Sequence, residues 1–500
     1  MNRALRWSPD NLRKAKTRLG VTTFRPGQQE LIDAVMTGHD ALGIMPTGGG
    51  KSLCYQLPSL FLPRAVVVVS PLISLMKDQQ DKLQRKAIPV AKLDSTMSAQ
   101  DERDTIEEIG ERTPELIYLT PERLEQPECL TLLRKTGVSL VVVDEAHCVS
   151  QWGHDFRPAY LAIRRAVREL GRPPVLALTA TATPSVAEDI RKQLDIPKAK
   201  TVNIGVHRPN LIYDVRRTVN NTEKDACLAE QVSNADGPGI VYVATIREAM
   251  ELFGRLKDSR LEVGVYHGKM PAKERHRTQQ AFMEDRYHVM VATKAFGLGI
   301  DKSNLRLVVH YQLPDSLESY VQETGRAGRD GCPARAVLLY RLEDRRIQSY
   351  FLGGKYPRAE DCALAYRTLR KLTTGGGTTL KDWTAATGLP VSKMKVIAAL
   401  LEASAIVRRG RRIETLRRFT KQAEFSRYLS EYEKRAQSDR TRLDMMMKYG
   451  QTTECRVRFL TRYFGNELRT SCGRCDNCRT GAAHRRVDVT RLQPGMRVAV

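Results

Sequence analysis

Five short apolar runs set the design of the first two hundred residues. They fall at 40–45, 65–70, 115–119, 139–144 and 175–179, with longer amphipathic stretches between them. A run that is apolar without alternation must be buried on both faces, and helices between such runs supply the cover. The pattern predicts a parallel sheet with helices on both sides. It restarts at Gly239, where GIVYVA, VGVYH, HVMVAT, LRLVVHY and RAVLLY repeat the design. Two α/β units are expected, with a boundary near 203–210. Near 353 strand alternation ends and helical sequence takes over, and LTTGGGTTL (372–380) reads as a turn or linker.

Charge narrows the partner. The chain carries 81 Lys plus Arg against 57 Asp plus Glu, a net +24. Such an excess attracts a polyanion and sheds counterions on binding it. Charge alone leaves DNA, RNA and anionic lipid open. The start, MNRALRWSPD, has no apolar leader core, and no stretch approaches the ~18 apolar residues of a membrane span. We expect an intracellular protein without a membrane partner, in which disulfides are disfavoured. Six of the ten cysteines are scattered, and four lie together near the C-terminus.

The strongest local signal is MPTGGGKS, 45–52, between a strand-like ALGIM and a helix-competent SLCYQLPSL. Glycines let backbone N–H groups curl round phosphate oxygens, and the helix N-terminus adds its dipole. Thr47, Gly48, Gly49 and Gly50 form the cradle, Lys51 reaches the β- and γ-phosphates, and Ser52 offers a hydroxyl to Mg²⁺. Met45 stands where this kind of loop usually has a glycine. About ninety residues on, LVVVDEAH (140–147) is a buried strand ending in two acids. Strands of open α/β sheets deliver such residues to the edge where ligands bind. Asp144 is the expected Mg²⁺ ligand and Glu145 the base that orients the attacking water.

Together these residues resemble a superfamily 2 helicase of the DExH type, and specifically the RecQ family of ATP-dependent DNA helicases. The resemblance rests on an ordered series: FRPGQQE (24–30), MPTGGGKS, VVVSPLISLMKDQ (67–79), YLTPERL (118–124), DEAH, LTATATP (178–184), YHGKM (266–270), VATKAFGLGIDKSNLR (291–306) and YVQETGRAGRDG (320–331). It covers about 1–350 continuously and returns near 455–478. It implies two RecA-like lobes with ATP between them, and 3′-to-5′ travel on single-stranded DNA that unwinds duplex or forked DNA. It also implies a role in DNA repair and recombination, in a bacterial nucleoid or a nucleus. By resemblance Gln28 reads adenine beside Arg25, His147 and Gln322 belong to the nucleotide site, and Arg329, with Arg326 close by, is the arginine finger. Val21, Thr22 and Thr23 stand where many relatives carry an aromatic that stacks on adenine. Arg326 and Arg329 are three apart and would share a face on a helix.

Directly after DEAH comes CVSQWGHDFRPAY (148–160). In the family this aromatic-rich loop senses DNA. Trp152 and Phe156 offer flat faces for bases, while Gln151, His154 and Arg157 offer polar contacts.

Cys455 is followed after sixteen residues by Cys472, Cys475 and Cys478. Four thiolates at this spacing make a closed, structural zinc site, and it resembles the RecQ zinc module. An iron–sulfur cluster is the alternative.

Between the second lobe and these cysteines lie about 100 residues. LKDWTAATGLPVSKMKVIAALLEASAIVRRGRR (380–412) reads as helix, turn at Gly388–Pro390, helix, short strand and basic tip, a winged-helix-like unit. In RecQ proteins that unit usually follows the zinc module. Arg408, Arg409, Arg411, Arg412, Arg417 and Arg418 are a candidate duplex clamp, the alternative being a packing domain with a basic edge. The expected organisation is lobe 1 at 1–205, lobe 2 at 206–352, a helical and winged-helix-like region at 353–440, a zinc module at 441–482, and a tail or truncated β fragment at 483–500. Protein partners are not legible.

Overall fold

The computed structural model describes residues 8–482, apart from 95, 112, 151, 154, 258–260, 298–299, 301, 356–357, 375, 404–405, 411, 418 and 420–421. The expectations at Gln151, His154, Arg411, Arg418 and the tail 483–500 therefore lie outside the described residues.

The first lobe is a seven-stranded sheet. Its strands are β1 (Ala41–Ile44), β2 (Ala65–Val69), β3 (Val90–Leu93), β4 (Leu116–Leu119), β5 (Val138–Val143), β6 (Val175–Thr179) and β7 (Lys200–Asn203). They run in the order β3-β4-β2-β5-β6-β1-β7, all parallel. Each central strand is buried on both faces. In β2, Ala65, Val67 and Val69 join one apolar cluster while Val66 and Val68 join the cluster on the other face. Helices cover both faces, so the period of two is hidden within uninterrupted valines. The apolar-run reading missed β3 and β7 because both are edge strands. VAKL carries Lys92, paired with Asp94 at 2.7 Å, and KTVN exposes three of its four residues.

The second lobe has six strands: β8 (Leu211–Arg217), β9 (Gly239–Tyr242), β10 (Val263–Tyr266), β11 (Val289–Ala292), β12 (Leu307–His310) and β13 (Ala334–Tyr340). Their order is β10-β11-β9-β12-β13-β8, again parallel. The design restarts one strand earlier than the apolar runs indicate. LIYDVRR of β8 hides Asp214 at zero exposure, which argues against a buried strand until its partners are known. Arg335 and Arg479 meet that carboxylate at 2.9 and 2.6 Å.

Beyond β13 the chain is mainly helical. The helices Ala359–Leu372, Leu380–Thr387 and Val391–Ala403 precede an antiparallel hairpin of β14 (Val407–Arg409) and β15 (Ile413–Thr415), and Thr378 bridges to Ile413. Helix, one-residue bridge, two helices and a two-stranded hairpin follow the order expected of a winged-helix-like unit. Gly388 ends the second helix at φ +68°, a left-handed position that glycine adopts without penalty. The unit has its own core, centred on fully buried Trp383, whose indole N–H donates to the Ala365 carbonyl at 2.9 Å. A long helix, Gln422–Gln451, then leads to Arg456–Tyr463 and the cysteines. The residues around these cysteines have no separate core. Val457, Phe459, Leu460 and Phe464 pack into the second lobe's core beside Tyr320 and Tyr449.

Candidate nucleotide cleft, aromatic loop and zinc knuckle

The segment Met45–Ser52 leaves β1 and enters the helix Leu53–Ser59. Gly48 and Gly50 take φ +77° and +79°. A Cβ on Gly50 would lie 2.4 Å from the Gln28 amide, so only glycine fits there. Gln28 is buried, donates to the Gly50 carbonyl at 2.9 Å, and accepts from the Arg25 backbone N–H at 2.7 Å. In this arrangement its amide braces the loop rather than facing the cavity. Arg25 donates to the Gly48 carbonyl and does line the cavity. Lys51 Nζ lies 3.4 Å from the Met45 carbonyl.

Strand β5 delivers the acids. Its continuation keeps ladder register, since the Asp144 N–H donates to the Val69 carbonyl at 2.9 Å. Asp144 is buried, with the Ser70 hydroxyl 3.4 Å away. Burial, reinforced by neighbouring Glu145 and opposed by Lys51, pushes its carboxyl up to about 7. A carboxylate so placed calls for a cation. Glu145 sits at φ +48°, a rare conformation for a residue with a side chain. Its carboxylate is 3.3 Å from His147 Nδ1, which is 3.0 Å from the Thr179 hydroxyl. His147 is buried behind the acidic turn and ties it to the end of β6; it does not line the cavity.

The facing wall comes from the second lobe. The helix Leu317–Thr324 starts at Ser316, whose hydroxyl accepts from the Ser319 N–H at 3.2 Å. The helix ends at Thr324, so Arg326 and Arg329 lie on the turn beyond it. The expectation of a shared helical face is corrected: Gly325 closes the helix and Gly328 bends the chain at φ +58°. Both arginines nevertheless enter one cavity of about 340 Å³ with Gln322, Arg25, Thr47, Gly48, Gly50, Lys51, Ser52, Asp144 and Glu145. Leu72, Leu75, Gln79, Gly297, Ile300 and Ser303 also line it. The motif series brackets these six, but their residue types alone gave no reason to single them out.

The aromatic loop folds back under the acids. The Ser150 hydroxyl donates to Asp189 at 2.7 Å and accepts from the Trp152 N–H at 3.2 Å. Trp152 remains 40% exposed, unusual for an indole and suited to a stacking face. Phe156 lies beneath the Arg435 guanidinium, 5.1 Å from its ring centre, a contact between the loop and the long helix. Arg157 pairs with Asp155 at 3.3 Å. A second cavity, about 480 Å³, opens between Asp155, lobe 2 residues His310 and Glu323, and Asp439 and Arg442 of the long helix.

The four cysteines converge, with all Sγ atoms within 4.8 Å of one another. Two Sγ pairs stand at 3.4 and 3.9 Å, and a zinc tetrahedron with ~2.3 Å arms has edges of about 3.8 Å. Backbone N–H groups of Cys472, Arg456 and Cys475 point at Cys455, Cys475 and Cys472 sulfurs at 3.3–3.4 Å, as thiolate ligands require. Hydrogen bonds from Cys472 and Cys475 draw the Cys455 thiol far down, while the same sharing pushes Cys475 up. The donor set fits a closed tetrahedral zinc.

Two parallel-sheet lobes with a phosphate-type loop, an acidic strand end and facing arginines define the class of two-lobed helicase motors. Family models agree: DEAD/DEAH box helicase matches 25–190, helicase conserved C-terminal domain 223–331, and RecQ zinc-binding 412–479. The ATP-dependent DNA helicase RecQ of Bacillus subtilis is 39% identical over 476 residues, covering 94% of this chain and 67% of that one. The probable ATP-dependent DNA helicase RecS of the same organism is 40% identical over 73% of each chain. Among solved structures, Mycobacterium smegmatis helicase Lhr bound to ssDNA and AMP-PNP shares the fold. It has a TM-score of 0.55 at 21% identity, over 84% of this chain and 61% of that one. The chain belongs to the RecQ family of ATP-dependent DNA helicases. The zinc-binding match and the converged thiolates together support a structural zinc.

Proposed function

We propose that this helicase travels 3′ to 5′ on single-stranded DNA and unwinds forked or duplex DNA in repair and recombination, in a nucleoid or nucleus. The observation that carries the reading is the meeting of Lys51, Asp144 and Glu145 from one lobe with Gln322, Arg326 and Arg329 from the other around one cavity. ATP fits there because the wall is cationic where phosphates would lie. Lys51 and the Thr47–Ser52 loop hold the phosphates, Arg25 bounds the adenine end, and Gln28 acts through the loop it braces. Ser52 and Asp144 would hold Mg²⁺, which would neutralise charge on the transferred phosphate. Glu145 orients and deprotonates the attacking water, held in its strained turn by His147. Arg329 and Arg326 meet charge that develops on the phosphate only when the lobes are closed. Nucleotide thereby favours closure and its hydrolysis releases it.

In this reading Trp152, Phe156 and Arg157, with Gln151 and His154, receive the single strand. The winged helix meets duplex ahead of it. Of the expected boundaries, 205 falls between the lobes, whereas 352 lies inside the helix Asp344–Lys355 and 440 inside the helix Gln422–Gln451, so continuous helix joins the parts on either side of those two. ATP turnover should be measured with single-stranded DNA, with RNA and with no polymer, alongside unwinding of 3′- and 5′-tailed duplexes. DNA-specific stimulation and 3′-tail preference are expected. Stimulation by RNA alone, or unwinding only from 5′ tails, would refute the reading.

A further inference from the structure

The crossing between the lobes, 204–210, holds a guanidinium that the motif series leaves without a role. Arg208 Nη1 donates to the carbonyls of Thr47 at 2.8 Å and Gly325 at 3.1 Å, and Nη2 to those of Ala327 at 3.2 Å and Gly328. Thr47 belongs to the phosphate loop. Gly325, Ala327 and Gly328 are the peptides on either side of Arg326 and between it and Arg329. Two residues on, Asn210 Nδ2 donates to the Gly328 and Cys332 carbonyls, both at 2.8 Å. Side chains of this crossing thus hold the finger loop by its backbone and join it to the opposite lobe.

The approach is close enough to need glycine. A Cβ on Gly325 would lie 2.9 Å from Thr47 Cβ, and one on Gly48 would lie 3.1 Å from Arg208 Nη1. Arg208 is half-buried, and burial lowers its proton affinity, with Arg329 and Arg25 adding to that and Tyr213 and Asp330 opposing it. Four carbonyls accept from it directly, and only a planar five-donor fork serves four of them at once. Arg208 lies on the covalent crossing between β7 and β8, so it reaches both lobes from the segment that joins them.

We propose that Arg208 is a positioning residue for ATP hydrolysis, locking the finger loop to the phosphate loop so that Arg326 and Arg329 arrive in register with Lys51. The proposal rests on reading the cleft as the ATP site and adds the element that aligns its two walls. Arg208 is not among the residues lining the cavity, so its action is through the loops it holds.

The test compares Arg208→Gln and Arg208→Lys with wild type in the full chain. The readouts are DNA-stimulated kcat, KM for ATP, ADP affinity and thermal midpoint. Arg208→Gln should lose about tenfold or more in kcat, since misplaced groups cost roughly that much, with ADP affinity within about threefold. Arg208→Lys keeps the charge but not the fork, and should bind ADP normally without recovering kcat. A normal kcat in Arg208→Gln overturns the proposal. Full recovery in Arg208→Lys does so too, as does parallel loss of kcat, ADP affinity and thermal midpoint, the sign of a merely structural role. Lys51→Ala run alongside separates the levels: retained hydrolysis there removes the cleft assignment itself, whatever Arg208 does.

Discussion

The Tyr160 hydroxyl donates to the backbone carbonyl of Asp144 at 3.1 Å, and both groups are buried. The aromatic loop thus leaves the acidic strand end at one side and is pinned back to it at the other. Trp152→Ala should lose DNA stimulation of the ATPase more than basal hydrolysis, since base stacking is worth roughly 1–3 kcal/mol. Tyr160→Phe should weaken the same coupling while leaving Trp152 free to stack. Comparing ATP turnover with and without single-stranded DNA checks both. An equal fall in basal and stimulated rates would make the loop a packing element.

For the cleft, Lys51→Ala should abolish hydrolysis while leaving DNA binding largely intact, because the loop lines the cleft between the lobes. Glu145→Gln should keep ATP binding and lose turnover. Steady-state rates and nucleotide titrations decide it, and wild-type turnover in Glu145→Gln would take the base role away from Glu145.

Elemental analysis should find about one zinc per chain, without the visible absorbance of an iron–sulfur cluster. Cys475→Ala should yield poorly soluble protein. Three thiolates close the knuckle weakly, and the surrounding Val457, Phe459 and Leu460 belong to the second lobe's core, so the damage spreads. Soluble, fully active protein without metal would contradict this.

At the wing, Arg408 and Arg412 are exposed, and Arg408 is partnered by Glu414 at 2.6 Å. Reversing both charges should weaken binding to forked DNA and flatten its salt dependence, by about 0.9 in slope for each phosphate no longer neutralised. ATPase on short single strands should hold. No change in fork binding would leave the wing a packing surface; equal loss on single strands would put it on the translocation path.

Chain order alone determined much of this molecule. A glycine-rich turn after a buried run places Lys51 at a strand end, VVV before Asp144 does the same for the acids, and the cysteine spacing closes one knuckle. These are local matters, settled by propensity, burial and residue spacing within a few positions. The tertiary structure decided what distant segments do to each other. Gly48 stands so close to Arg329 that a Cβ there would lie 3.4 Å from its Cγ. Asp214 becomes a strand residue because Arg335 and Arg479 arrive from elsewhere, Gln28 turns inward to brace a loop, and Arg435 covers Phe156. Each of these depends on how two surfaces dock, a sum of many weak interactions that no stretch of sequence carries by itself.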